Sequence, residues 1–148
     1  MVFKYGTYFI KDIEILEGVQ KRATKLPHCL RKKSYDQRLR YLKLTSLRDR
    51  RMRGDIIETF KILTGRYNCP HLAEMLKLNT MIFPRRDHGM KLMRKSSNTN
   101  VKYHFMNNRV VNMWNKIPED ILKSSTVNTF KNKLNKWLVT IDIDYGDN

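Results

Sequence analysis

Four stretches of this chain repeat apolar residues every three or four positions, a period that lines them along one face of an α-helix. Residues 46–65 give the clearest case. Met52, Ile56, Phe60 and Leu63 form the stripe, and Ser46 with Asp49 has the spacing of a capping box. Gly65 stands where a helix C′ residue belongs, since glycine takes the left-handed conformation without a steric penalty. Upstream, residues 12–26 carry Ile13, Leu16, Val19, Ala23 and Leu26. Lys21, Arg22 and Lys25 crowd the last turn, where cations suit the helix dipole, and Pro27 stops the helix. Ser34 and Gln37 form another capping-box pair and open a short helix with Leu39 and Leu42 as its apolar contacts.

The same period returns in the second half. Met106, Val110, Met113 and Ile117 make one stripe within 103–117, with Trp114 beside it. Pro118, Glu119 and Asp120 mark the start of a further turn. Val127, Phe130, Leu134, Trp137 and Leu138 share a face within 126–138. The middle is less regular. Pro70 opens a short helix over Leu72, Met75 and Leu76, and Pro84–Gly89 reads as a loop. Met90–Arg94 alternates weakly and reads as a short strand or an extended arm, followed by a turn at residues 96–100. The expected fold is mainly α: a small bundle of four main helices, 12–26, 46–65, 103–117 and 126–138, with a short β-hairpin or extended arm in the middle. It forms a single helical domain over 12–139, between an N-terminal extension (1–11) and an acidic, frayed tail (140–148).

Charge selects the partner. The formal net charge is +16 over 148 residues, and a surplus of Lys and Arg favours polyanions through Coulomb attraction and counterion release. RNA or DNA leads, ahead of an anionic membrane surface. The surplus is uneven. Residues 21–53 hold 13 basic side chains against two acidic ones, Asp36 and Asp49, a local excess of +11. A second cluster is Arg85, Arg86, Lys91, Arg94, Lys95 and Lys102, opposed by Asp87. The residues expected to carry binding are Arg48, Arg50, Arg51, Arg53, Arg85, Arg86 and Lys91, with His88 either donating to phosphate or stabilising its loop. Arginines on several faces of one helix cannot all reach one groove, so each has two readings: phosphate contact, or an ion pair with Asp49, Asp55 or Glu58. Tyr35, Tyr41, Tyr67 and Tyr103 lie near positive charge and could stack on bases, although aromatics at helical spacing more often pack in a core. Trp114, Phe130 and Trp137 are assigned to packing.

Chemistry is sparse. Two-metal nucleotide transfer needs clustered carboxylates, and the 14 acidic residues are scattered among Lys and Arg or lie at the termini. No catalytic residue, metal site, cofactor or small-molecule substrate is expected. His28-Cys29 and Cys69-x-His71 are too closely spaced to wrap one tetrahedral ion, and neighbours such as His28 and Cys29 point apart on the backbone. Two cysteines are few for a secreted disulfide scaffold, which favours an intracellular location, nuclear or cytoplasmic. No apolar run reaches the roughly 18 to 20 residues that cross a bilayer.

An ordered set of short pieces carries a resemblance. It runs Leu16-Glu17-Gly18-Val19-Gln20-Lys21-Arg22-Ala23-Thr24, Tyr35 with Arg38-Leu39, Leu44-Thr45-Ser46-Leu47, Arg50-Arg51, Asp55, and Phe60-Lys61-Ile62-Leu63. It continues with Arg86, His88, Lys91-Leu92, Arg109-Val110-Val111, Trp114-Asn115, Ile117-Pro118 and Phe130-Lys131. In this order, over about residues 8–138, the chain resembles the C-terminal tail region of reverse transcriptases (RNA-directed DNA polymerases) of non-LTR, jockey-like retrotransposons. The resemblance implies that the catalytic aspartates and the endonuclease lie upstream, outside this chain. Tyr145-Gly146-Asp147-Asn148 is similar to the Tyr-x-Asp-Asp metal motif of such enzymes only superficially, with Asn in the last place and no following strand. Two roles then compete: gripping template RNA or target DNA, and bracing the upstream polymerase as a protein-interaction module. A non-functional relic of a retrotransposon is the third reading.

Overall fold

A computed structural model describes residues 10–67, 70–79, 89–94 and 106–142, and these are mainly helical. The helices are α1 (Ile10–Ala23), α2 (Tyr35–Leu42), α3 (Leu47–Leu63), α4 (Pro70–Met75), α5 (Met106–Trp114), α6 (Glu119–Leu122) and α7 (Val127–Asp142), with a 3-10 turn at His28–Leu30. The chain forms two compact units. One is built from residues 10–54; the other takes Asp55–Arg94 and Asn107–Asp142.

Polar side chains hold the first unit together more than apolar ones do. Its buried apolar residues are Leu30 and Leu39, beside buried Thr24 and Arg38. Arg38 reaches from α2 to the end of α1, donating to Thr24 Oγ1 at 3.1 Å and to the Lys21 carbonyl at 3.4 Å. A third donation, at 2.6 Å, goes to the Lys33 carbonyl. A guanidinium among the last carbonyls of α1 satisfies acceptors that the helix leaves open and meets the negative end of its dipole. Glu17 works in the opposite sense. Its carboxylate accepts the Leu47 N–H at 3.0 Å, at the positive end of α3, and the Tyr35 hydroxyl donates to its other oxygen. Burial, and then the hydrogen bond to Glu17, push the Tyr35 phenol well above its usual pKa, so it stays protonated and remains a donor.

The capping boxes differ in completeness. Ser34 and Gln37 make both reciprocal bonds. At Ser46 the Asp49 N–H donates to the hydroxyl at 3.1 Å, while Asp49 receives the same hydroxyl instead of a backbone N–H. Both α2 and α3 end in Schellman turns. Leu44 N–H reaches the Leu39 carbonyl and Lys43 that of Arg40; Arg66 reaches Lys61 and Gly65 reaches Ile62. Gly65 has φ +67°, as its glycine allows, but the equivalent place after α2 holds Lys43 at φ +53°.

The apolar stripe of α1 is a correction to the expected four-helix core. Ile13 is half-buried, but Leu16, Val19 and Leu26 are exposed, as is Ile15. The side of α1 that packs is the polar one carrying Glu17, Gln20 and Thr24. A period identifies an apolar face; it does not say what covers it.

The second unit has the larger core. Ile56, Phe60, Val110, Trp114, Ile117, Phe130 and Leu134 are at most 1% exposed. The Phe60 and Phe130 rings stack with centroids 3.9 Å apart and planes 6° from parallel. The buried face of α3 is wider than its stripe, since Asp55, Ile57, Thr59 and Ile62 are also buried while Met52 and Leu63 are half-buried. Thr59 resolves its own burial by donating to the Asp55 carbonyl at 2.8 Å. Asp55 is paired in turn: Arg109 of α5 donates Nε to Oδ2 at 2.6 Å and Nη2 to Oδ1 at 2.8 Å.

The middle segment contributes one antiparallel bridge, Leu78 to Leu92, and no strand among the described residues. Asn79 N–H donates to the Lys91 carbonyl at 2.7 Å and Met93 N–H to the Lys77 carbonyl at 2.8 Å. In such a wide pair the N–H and C=O of Leu92 point away from Leu78. Asn115 takes both: its Oδ1 accepts Leu92 N–H at 2.9 Å and its Nδ2 donates to Leu92 O at 3.0 Å. The carboxamide replaces the peptide group of a missing strand. Trp114 Nε1 donates to the Met90 carbonyl at 2.8 Å, two residues earlier. The extended arm is thus fixed by two adjacent side chains at the end of α5.

Gly54 sits inside α3, and a methyl group added there meets nothing within 4 Å. Gly54→Ala removes the entropic cost of a mid-helix glycine and should stabilise the chain by about 0.5–1 kcal/mol. A rise in Tm checks it; a fall would show that the site needs a bare backbone.

Candidate nucleic-acid interface

The basic run of residues 21–53 separates by burial. Lys21, Arg22, Lys25, Arg31, Lys32, Lys33, Arg40, Lys43, Arg48 and Arg50 are exposed. Arg38 is spent inside the unit on three acceptors. Arg51 and Arg53 are half-buried and engaged within the protein. Within this one helix Arg48 and Arg50 face solvent without an ion pair among the described residues, whereas Arg51 and Arg53 are less exposed and have partners within the protein.

Three of these side chains occupy places that a local rule disfavours. Arg48 and Arg50 stand in the first turns of α3, at the positive end of its dipole, where a cation is unfavourable by a few tenths of a kcal/mol. Lys43 occupies a left-handed position that costs an L-residue about 1 kcal/mol more than glycine. The strain at Lys43 belongs to its Cβ, whereas its charge lies at the negative end of α2, where a cation is favourable.

Of the second cluster, Arg85, Arg86 and His88 lie outside the described residues. Lys91 is half-buried beside the Leu92 bridge and engaged within the protein. Arg94 is exposed and also engaged. Of the anticipated binding residues, Arg48 and Arg50 are the ones fully in the exposed class among the described residues.

The binding residues anticipated from sequence leave out Lys33, Arg40 and Lys43 of the α2 region, which are counted only in the basic run, while Tyr41 is one of four tyrosines noted as able to stack on bases. The signal was present: the Ser34–Gln37 box fixes the start of α2, and an eight-residue helix places its last side chains beside its basic flanks. Lys33 Nζ lies 5.0 Å from the centroid of the Tyr41 ring. Cys29 is exposed, and no group of three or more His, Cys, Asp or Glu side chains that could hold a metal gathers among the described residues. No helix among them is long and apolar enough to cross a membrane.

Several residues that carry the retrotransposon resemblance are partners of one another: Glu17 with Tyr35 and Leu47, Arg38 with Thr24, Asp55 with Arg109, Asn115 with Leu92, and Phe60 with Phe130. Each of these pairs lies within one unit. In comparisons with known proteins, no family model, no curated protein and no solved structure matches this chain.

Proposed function

We propose that this chain grips RNA or DNA through phosphates, with little sequence preference and no catalytic residue of its own, as the C-terminal segment of a retrotransposon-type reverse transcriptase. The observation that carries the reading is the exposed basic surface of the first unit, where Arg48, Arg50 and Lys43 are held at some cost to local structure. Phosphate is the anion that rewards many dispersed cations, because each contact releases counterions. The ordered residues of the resemblance support the polymerase context and add nothing to the contact chemistry.

Two variants separate binding from folding. Arg48→Ala with Arg50→Ala should leave Tm unchanged or slightly raised and reduce the salt slope of binding by about 2. Lys43→Gly should stabilise the chain by about 0.5–1 kcal/mol and weaken binding. Lower Tm with an unchanged slope in the first, or unchanged affinity in both, would make these cations structural or incidental.

A second reading has its own observation. Ile15, Leu16, Val19 and Leu26 expose an apolar face at the start of the chain, which suits a bracing contact with a polymerase domain. Self-association without affinity for nucleic acid, measured by sedimentation, would favour this reading over phosphate binding.

A further inference from the structure

Phosphate contacts alone do not distinguish a single strand from a duplex; an accessible aromatic ring does. Among the tyrosines near the positive charge, Tyr35 is half-buried with its hydroxyl committed to Glu17. Tyr41 differs: it is 63% exposed in the last turn of α2. Its surroundings are basic, with Lys33 over the ring at 5.0 Å and exposed Arg40 and Lys43 within two residues along the chain. Leu44, three residues on, is 47% exposed.

The backbone that carries the ring is held at both ends. Ser34 and Gln37 cap one end of α2, and the Schellman turn closes the other. Lys33 is fixed through its backbone, its N–H donating to Leu30 O at 3.1 Å and its carbonyl accepting from Arg38 at 2.6 Å. An exposed aromatic on a capped helix, with a cation already beside it, offers a base a π-face and offers the adjoining phosphate a partner. In a duplex the faces of each base are covered by its neighbours, so only an unpaired base can use such a ring.

Resting on the phosphate-binding reading above, we propose that Tyr41 is a stacking platform for an unpaired base, so that the basic surface of the first unit takes single strands in preference to duplex. Lys33, Arg40 and Lys43 hold the flanking phosphates. Because stacking is indifferent to base identity, the preference is for strandedness and not for sequence.

The test uses the full chain with Tyr41→Ala and Tyr41→Phe. The probes are oligouridine, oligothymidine and a DNA duplex of equal length, with 2-aminopurine at one position of each single strand. Tyr41→Ala should lose roughly ten-fold in affinity for single strands, towards the lower end of what one stacked base contributes, and keep its duplex affinity. Tyr41→Phe, which retains the ring, should bind like the parent. Quenching of 2-aminopurine should appear with the parent and Tyr41→Phe and vanish with Tyr41→Ala. Equal losses on single strands and duplex, or no loss on either while binding persists, would overturn the platform and leave phosphate gripping intact. Absence of binding by the parent to all three probes would overturn both. The ranking of oligouridine against oligothymidine assigns the strand to RNA or DNA.

Discussion

Replacing Asp55 with Ala should destabilise the second unit by roughly 3 kcal/mol, at the lower end of the range for breaking a buried ion pair. The Asp55 and Arg109 side chains are 11% and 23% exposed, and the guanidinium makes two parallel bonds to the carboxylate. Removal of the acid takes away the carboxylate to which the guanidinium donates twice. The double variant Asp55→Ala with Arg109→Ala should be less destabilised than the sum of the single ones, because each single variant already loses the same two bonds. Urea unfolding followed by tryptophan fluorescence is well matched to this question, since Trp114 and Trp137 both belong to the second unit. Additive single and double effects would show that the two residues do not act as a pair.

Trp114 should be at least as sensitive. It is fully buried, and its indole N–H is the donor to the Met90 carbonyl. Trp114→Ala removes the largest side chain of the core and should cost about 3–5 kcal/mol. Trp114→Phe keeps an apolar ring but leaves the Met90 carbonyl without that donor, at a cost of about 1–3 kcal/mol. The two variants also differ locally. In Trp114→Phe, with Asn115 still in place, the amide of Leu92 should keep much of its protection from hydrogen exchange. Asn115→Ala should lose that protection while the core remains folded. Equal protection in all of these variants would mean that the arm is not anchored by the end of α5.

Local chemistry made much of this fold readable. The Ser34–Gln37 box, the Gly65 stop and the Pro70 start each depend on a few adjacent residues, and each stands in the structure where the sequence places it. Tertiary choices were less legible. The α1 stripe has the period of a core helix, yet Val19 and Leu26 are exposed, because Glu17 and Thr24 find specific partners on the opposite side. Pro118 caps α6 instead of opening its first turn, with φ −58° and ψ 146°, a one-residue shift that pattern does not resolve. The extended arm is a single bridge completed by an asparagine side chain, a device with no periodic trace.

The candidate interface followed the same division. Net charge and its concentration between residues 21 and 53 were visible in the sequence. Which cations face solvent was not. Arg38, Arg51 and Arg53 are as basic as Arg48 and Arg50, and burial alone separates them. The special position of Lys43 is a backbone angle, which sequence hints at only through the distance from the Ser34 cap.

The central claim is tested most directly by the affinity of the full chain for single-stranded RNA, single-stranded DNA and duplex DNA between about 50 and about 200 mM salt. Phosphate gripping predicts submicromolar binding at the low end and a steep linear fall of log affinity with log salt. Weak binding to all three polymers, or a flat slope, from a sample shown to be folded by circular dichroism would contradict it.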